Sequence, residues 1–116
     1  SYDLDKKTWT NYRLQLTSEA GRLASLACRA GADGTLEVLA IERQFEVSRV
    51  LSFHVSAGQP KNDLLPKIVA DLAKLIPHTP NYEGIAWLAD GHVALIADNE
   101  NDVPSAGTPM LVLPLP

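Results

Sequence analysis

One tripeptide and its surroundings occur twice, and this duplication constrains the fold more than any other feature of the chain. Ala32-Asp33-Gly34 recurs 57 residues later as Ala89-Asp90-Gly91. Upstream, Ser25-Leu26-Ala27 matches Gly84-Ile85-Ala86. Downstream, each copy continues as an apolar run ending in an acidic residue, Glu42 in the first and Asp98 in the second, with one gap. Asp-Gly between two apolar runs signals a hairpin, because glycine supplies the positive φ of the turn. Each copy therefore reads strand, tight turn, strand, loop, strand. Multistranded repeats of roughly 40–50 residues mark propeller blades, and this period lies a little above that range. Asp-Gly hairpins are common enough to coincide by chance, but here three features recur in the same order.

The rest of the chain is punctuated for strands. Residues 8–16 are rich in β-branched and aromatic types and are flanked by polar turns. Strands are expected over 23–29, 35–42, 47–55, 82–88, 92–97 and 110–115. In 47–55, Val47, Arg49, Leu51, Phe53 and Val55 share one face, while Ser48, Val50, Ser52 and His54 share the other. Residues 64–76 read differently. Leu64, Leu65, Ile68, Val69, Leu72, Leu75 and Ile76 form a helical stripe, with Asn62 or Asp63 as N-cap and Pro77 and Pro80 as stops. Pattern alone predicts a short helix within 63–76.

Composition narrows the class. The 116 residues are 46% hydrophobic and 21% charged, which argues for a single globular domain and against disorder. A net charge of -4 leaves no basic surface for a phosphate backbone, so nucleic acid is not an expected partner. No apolar run approaches the roughly 18–20 residues of a membrane helix, and no signal peptide is visible. One cysteine, Cys28, cannot close an intrachain disulfide. The chain opens on Ser1 rather than methionine, and its last strand runs to its end. A processed, clipped or excised piece of something larger is expected.

The expected fold is all-β: antiparallel four-stranded propeller blades, about two of them, over residues 1–116. Residues 8–16 form an outer strand, 22–75 a blade, and 82–115 a last blade that lacks its outer strand. Two blades cannot close a ring and leave exposed edges. The expected partners are the remaining blades of the same propeller or further copies of this chain. In the second case the 8–16 strand of one copy completes the last blade of the next through a heterologous contact. A compact α+β domain built around 64–76, with the repeat a coincidence, is the competing architecture.

Several segments resemble the phytase-like β-propeller family, often labelled "esterase-like activity of phytase". Gly34-Thr35-Leu36-Glu37-Val38-Leu39-Ala40-Ile41-Glu42-Arg43-Gln44-Phe45 is similar to its Asp-Gly turn, apolar strand and Glu-Arg ending. Asn81-Tyr82-Glu83-Gly84-Ile85-Ala86 resembles its Asn-Phe-Glu-Gly-Leu-Ala segment, and Ala97-Asp98-Asn99-Glu100-Asn101 its Ser-Asp-Asn-Asn. Met110-Leu111-Val112-Leu113 is similar to its closing strand. The likeness spans most of the chain but only the C-terminal portion of a full member. It implies a propeller of about six blades, in a secreted or periplasmic bacterial protein, and a phosphoester or ester hydrolase. It also implies an outer strand through 67–72, so a strand near 67–71 followed by a helical turn stands beside the helix reading.

The chemistry-bearing residues form two groups. Glu83 opens an innermost strand directly before Gly84, and Asp98 and Asn99 lie at the end of the adjacent strand. Calcium takes oxygen ligands of this kind, so Glu83, Asp98 and Asn99 are candidate metal ligands. Two or three oxygens do not fill such a site, and the rest must come from other blades. The plainer alternative has Glu83 capping the Asn81 turn and Asp98 solvating a loop. Glu42 and Arg43 form the second group. Arg43 can grip a phosphate or carboxylate in bidentate fashion, and Glu42 can act as a general base. The plainer alternative is an exposed strand end, or an Arg–Glu pair locking neighbouring blades. Successive strand residues point to opposite faces, so Glu42 and Arg43 cannot share a pocket without a bulge. His54, His78 and His92 show no ligand spacing with one another or with Cys28. Cys28, Trp9 and Trp87 are expected in apolar packing. A small phosphorylated or ester compound is the expected substrate class, and a non-catalytic propeller used for binding or scaffolding is the rival function.

Overall fold

The computed structural model describes residues 2–56, 63–98 and 107–115. Among them the regular structure is mostly antiparallel β-sheet with almost no helix, arranged as three units. A small hairpin pairs β1 (Tyr2–Asp3) with β2 (Thr8–Trp9). A four-stranded meander follows: β3 (Arg22–Ala30), β4 (Thr35–Gln44), β5 (Val47–Ser56) and β6 (Lys67–Asp71). One helical turn, α1 (Leu72–Leu75), leads into a three-stranded meander of β7 (Tyr82–Trp87), β8 (His92–Ala97) and β9 (Met110–Pro114). No described helix is long and apolar enough to cross a membrane.

The sequence repeat is a structural repeat. Ala32–Gly34 and Ala89–Gly91 are both short 3-10 turns joining the first two strands of their sheets, the second with Asp90 at a positive φ of 62°. Gly34 and Gly91 adopt φ of 72° and 75°, the left-handed region that glycine enters without a Cβ penalty. Each turn is closed by the same bond 57 residues apart: Gly31 N–H to the Thr35 carbonyl at 2.8 Å, and Leu88 N–H to the His92 carbonyl at 2.9 Å. Each first strand carries a β-bulge, between Leu23 and Ser25 in one sheet and between Tyr82 and Gly84 in the other. The first hairpin runs six register pairs from turn to bulge, Ala30↔Leu36 to Ser25↔Ile41. The second runs four, Trp87↔Val93 to Gly84↔Ile96. Beyond the bulge Leu23 faces Glu42 and Tyr82 faces Ala97. The counterpart of Glu42 is therefore Ala97, and Asp98 corresponds to Arg43; the one-gap match of Glu42 with Asp98 does not hold.

Residues 64–76 show how pairing overrides periodicity. The β-branched Ile68 and Val69 lie in β6, whose ladder with β5 pairs Leu51 with Ile68 and Arg49 with Asp71. Only Leu72–Leu75 remain helical, and Leu72 is wholly buried. Thr79 Oγ1 donates to the Ile76 carbonyl at 2.8 Å, an acceptor left open past the turn, and lies 3.2 Å from the Leu72 carbonyl, which also accepts the Ile76 N–H at 2.9 Å. The strand at 67–71 with a helical turn after it is what forms, and a compact α+β domain is not.

Two apolar layers hold the sheets. Between them, Leu39, Ile41 and Val50 of the first sheet pack with Val93, Leu95 and Ala97 of the second, together with Leu72 and Tyr82. At roughly 1.5–3 kcal/mol per buried aliphatic side chain, this layer is the main force joining the sheets. On the opposite face of the first sheet, Val38, Ala40, Leu51 and Phe53 form a second cluster, partly covered by Leu14 and Leu64.

The N-terminal segment departs from expectation. Residues 8–16 do not form one strand: Thr8–Trp9 pairs with Tyr2–Asp3, and Leu14 makes one parallel bridge to Leu64. An outer strand needs a continuous ladder, and among the described residues the pairing of this segment stops at Leu64, through bonds of 3.0 and 2.7 Å to Gln15 and Arg13, three residues short of β6. Trp9 is 74% exposed and stacks on Tyr2, so it is not a core residue. Cys28 is also exposed. Trp87 does pack against the inter-sheet layer, with the Arg29 guanidinium 3.7 Å from its ring centroid.

Candidate functional site

The ends of β4 and β8 and the starts of β3 and β7 lie at one end of the sheets, because each hairpin turn lies at the other. Strand alternation divides the Glu42-Arg43 pair there. Arg43 continues the Leu39–Ile41 face towards the second sheet, and Glu42 points the other way.

Arg43 stands directly opposite Ser48 in the β4–β5 ladder. The bulge in β7 falls at Glu83 and re-aims its side chain. Arg43 Nη2 donates to Glu83 Oε1, and Asn81 Nδ2 donates to the same oxygen at 3.2 Å. Arg43 and Glu83 thus link the two sheets, each half-buried at 27% and 38% side-chain exposure. An ion pair this exposed contributes about 0–1 kcal/mol to stability, so its worth lies in positioning. In the first sheet the bulge residue is Ala24, so this carboxylate belongs to the second repeat alone.

A cleft of about 670 Å³ opens beside the pair. Arg43 and Ser48 form one wall, the Phe45-Glu46 turn its rim, and His78, Thr79 and Asn81 the facing wall. Arg43 Nε and Ser48 Oγ are both buried without a hydrogen-bond partner. An unsatisfied buried donor costs about 1–3 kcal/mol, and these two lie beneath the cleft wall rather than on its surface.

Glu42 has another occupation. It is 0% exposed. Its Oε1 accepts the Thr17 and Ser18 N–H groups, both at 3.0 Å, and its Oε2 accepts the Thr17 hydroxyl. Thr17 Oγ1 in turn accepts Arg49 Nη1 at 2.8 Å, and Arg49 pairs with Asp71 at 3.6 Å. A Cβ at Gly21 would run into the Glu42 carboxylate, so glycine is needed where the loop closes over it. Glu42 is thus neither an exposed strand end nor a neighbour of Arg43 in the cleft.

Calcium, the cation expected for Glu83, Asp98 and Asn99, takes six to eight oxygen ligands. Glu83 Oε1 is committed to Arg43 and Asn81. Asp98 is exposed and tied to the site through its backbone N–H, which donates to the Asn81 carbonyl at 2.9 Å. Asn99 lies outside the described residues. No group of three or more His, Cys, Asp or Glu side chains gathers for a cation among the described residues. As they stand, Glu83 and Asp98 do not make a cation cage.

The alternative of an Arg–Glu pair for Arg43 is realised between the two sheets, but with Glu83, a partner the sequence does not point to. Sequence reading missed Ser48, whose only signal is its register opposite Arg43, and Thr17, which nothing in the local pattern distinguishes. Compared with protein-family models, with curated proteins and with solved structures, the chain matches none of them.

Proposed function

We propose that this chain is a two-sheet piece of a phytase-like β-propeller whose Arg43 cleft binds a small anion, a phosphate ester or carboxylate. The observation that carries the reading is that Arg43 and Ser48, opposite one another in the ladder, both line that cleft, with Arg43 Nε and Ser48 Oγ left unpartnered beneath its surface. A guanidinium beside a hydroxyl suits an oxyanion, since Arg presents planar donors and Ser adds one more at an angle. The blade reading draws support from the repeated meander, bulge and turn.

Binding without catalysis is the reading favoured for these residues alone, because Glu42 spends both oxygens on the 17–18 backbone and hydroxyl. Calcium-assisted phosphoester or ester hydrolysis is the second reading. It draws on the resemblance and on Glu83, a carboxylate bonded to Arg43 and Asn81 of the cleft lining, and it needs oxygen ligands from further sheets.

The test is titration of the protein with inorganic phosphate and with p-nitrophenyl phosphate, followed by heteronuclear NMR. Arg43→Gln is expected to weaken binding by about tenfold or more, near 1.4 kcal/mol. Equal affinity in wild type and variant overturns the reading. Release of p-nitrophenol that needs calcium, stops with a chelator and is lost in Glu83→Gln would favour the hydrolase.

A further inference from the structure

The second sheet is apolar on both faces. Val93, Leu95 and Ala97 of β8 point into the inter-sheet layer. On the other face, cross-strand rows join Gly84, Ile96 and Met110, and then Ala86, Ala94 and Val112. Ile96, Met110 and Val112 are large exposed apolar side chains. An antiparallel sheet with one solvated face alternates apolar inside with polar outside, and these rows carry no polar side chain. The first sheet does the same. Its outer rows join Ala30, Leu36 and Val55, then Cys28, Val38 and Phe53. They border an apolar groove of about 370 Å³. Sheets of this kind belong between two other sheets.

The repeat says which face meets which. Counted from the two turns, Leu36 and Val38 hold the places of Val93 and Leu95. Glu37 and Leu39 hold those of Ala94 and Ile96. Within the chain, the Leu39 face of one unit receives the Val93–Leu95 face of the next. The exposed Ala94–Ile96 face is the second unit's version of the receiving face. The Leu36–Val38 face, where Leu26 and Leu36 are exposed while Val38 and Phe53 lie buried and partly covered by Leu14 and Leu64, is the first unit's version of the inserting one.

We propose that copies of this chain associate head to tail, the Ile96–Val112 face of one docking on the Leu36–Val38 groove of a second copy. The contact repeats the existing inter-sheet layer between chains. It is heterologous, so it closes into a ring where the rotation permits and otherwise extends as a filament. The inference rests on the two sheets being repeats of one blade-like unit, and it does not depend on what Arg43 binds.

Mixing two face-specific variants tests it. Val112→Glu places a charge on the second sheet's outer face, and Leu26→Glu does so beside the groove, where Leu26 is exposed. Met110→Glu, at the corner of the same face, is the second variant should Val112→Glu fail to fold by circular dichroism. Mass is measured by sedimentation equilibrium of the full chain. Wild type is expected to associate, each variant alone to be monomeric, and the equimolar mixture to stop at the mass of two chains, because each partner has one intact face. A folded wild-type monomer at high micromolar concentration overturns the docking, and so does an oligomer that both variants leave intact. Variants that stay monomeric when mixed refute the heterologous pairing. An open-ended ladder of wild-type masses keeps the docking and removes the propeller reading, whereas one discrete closed mass keeps both.

Discussion

Replacing Glu42 should unfold the protein more readily while leaving the Arg43 cleft as it was. In Glu42→Ala the Thr17 and Ser18 N–H groups and the Thr17 hydroxyl lose their acceptor together. Hydrogen bonds to a charged group contribute about 1.5–3 kcal/mol each, and a donor left buried costs about 1–3 kcal/mol. The three share one carboxylate and are not additive. Water can also reach the loop once the side chain is gone, so the expected loss is about 3–4 kcal/mol. With a urea slope of roughly 1.5 kcal/mol/M, the unfolding midpoint falls by about 2 M. Glu42→Gln keeps the shape and the acceptor for both N–H groups. Its amide nitrogen then meets Thr17 Oγ1, which already accepts Arg49, and the hydroxyl proton loses its acceptor. That variant should cost about 1–2 kcal/mol. The assay is urea unfolding followed by circular dichroism, with phosphate titration of the folded variants alongside. Stability within about 0.5 kcal/mol of wild type for Glu42→Ala would refute the anchoring role. A large loss of phosphate affinity in a stable Glu42→Gln would return Glu42 to the ligand site.

Two further expectations concern the core and the turns. Tyr82 is buried in the inter-sheet layer, and burial raises its phenol above the ordinary 10.0. The folded state therefore holds the proton longer than the unfolded chain does. Its contribution is complete below pH 10.0 and is lost as pH rises through the folded-state value. Tyr82→Phe should remove that part of the alkaline slope in chemical unfolding; an unchanged slope would assign it elsewhere. Gly34→Ala and Gly91→Ala each introduce a Cβ into open space at positive φ, so only backbone strain is felt. Each should cost about 1 kcal/mol, and the double variant about twice that, since the turns lie in separate sheets. Unequal costs, read from urea midpoints, would show that the two turns are not equivalent.

Much of the fold can be read along the chain because its signals are local. Alternation in 47–55 assigns Leu51 and Phe53 to one face and Val50 to the other without reference to any partner. The paired Ala-Asp-Gly turns place two hairpins, since few residues other than glycine sit at positive φ cheaply. Tertiary structure decided what depends on a partner strand. Residues 67–71 carry a helical stripe yet join the β5 ladder, because Arg49, Val50, Leu51 and Ser52 offer backbone groups there. Residues 8–16 look like a strand yet, among the described residues, form a two-residue hairpin with Tyr2–Asp3 and one bridge to Leu64, because the backbone that pairs with them there comes in two short stretches. The same division runs through the candidate site. Adjacency in sequence made Glu42 and Arg43 look like a pair, but a strand turns neighbours to opposite faces. Arg43 found Glu83 forty residues away, and Glu42 found a loop. Residue type and period determined the strands and turns of this chain. Which carboxylate meets which cation was decided by the register of the sheets and by one bulge.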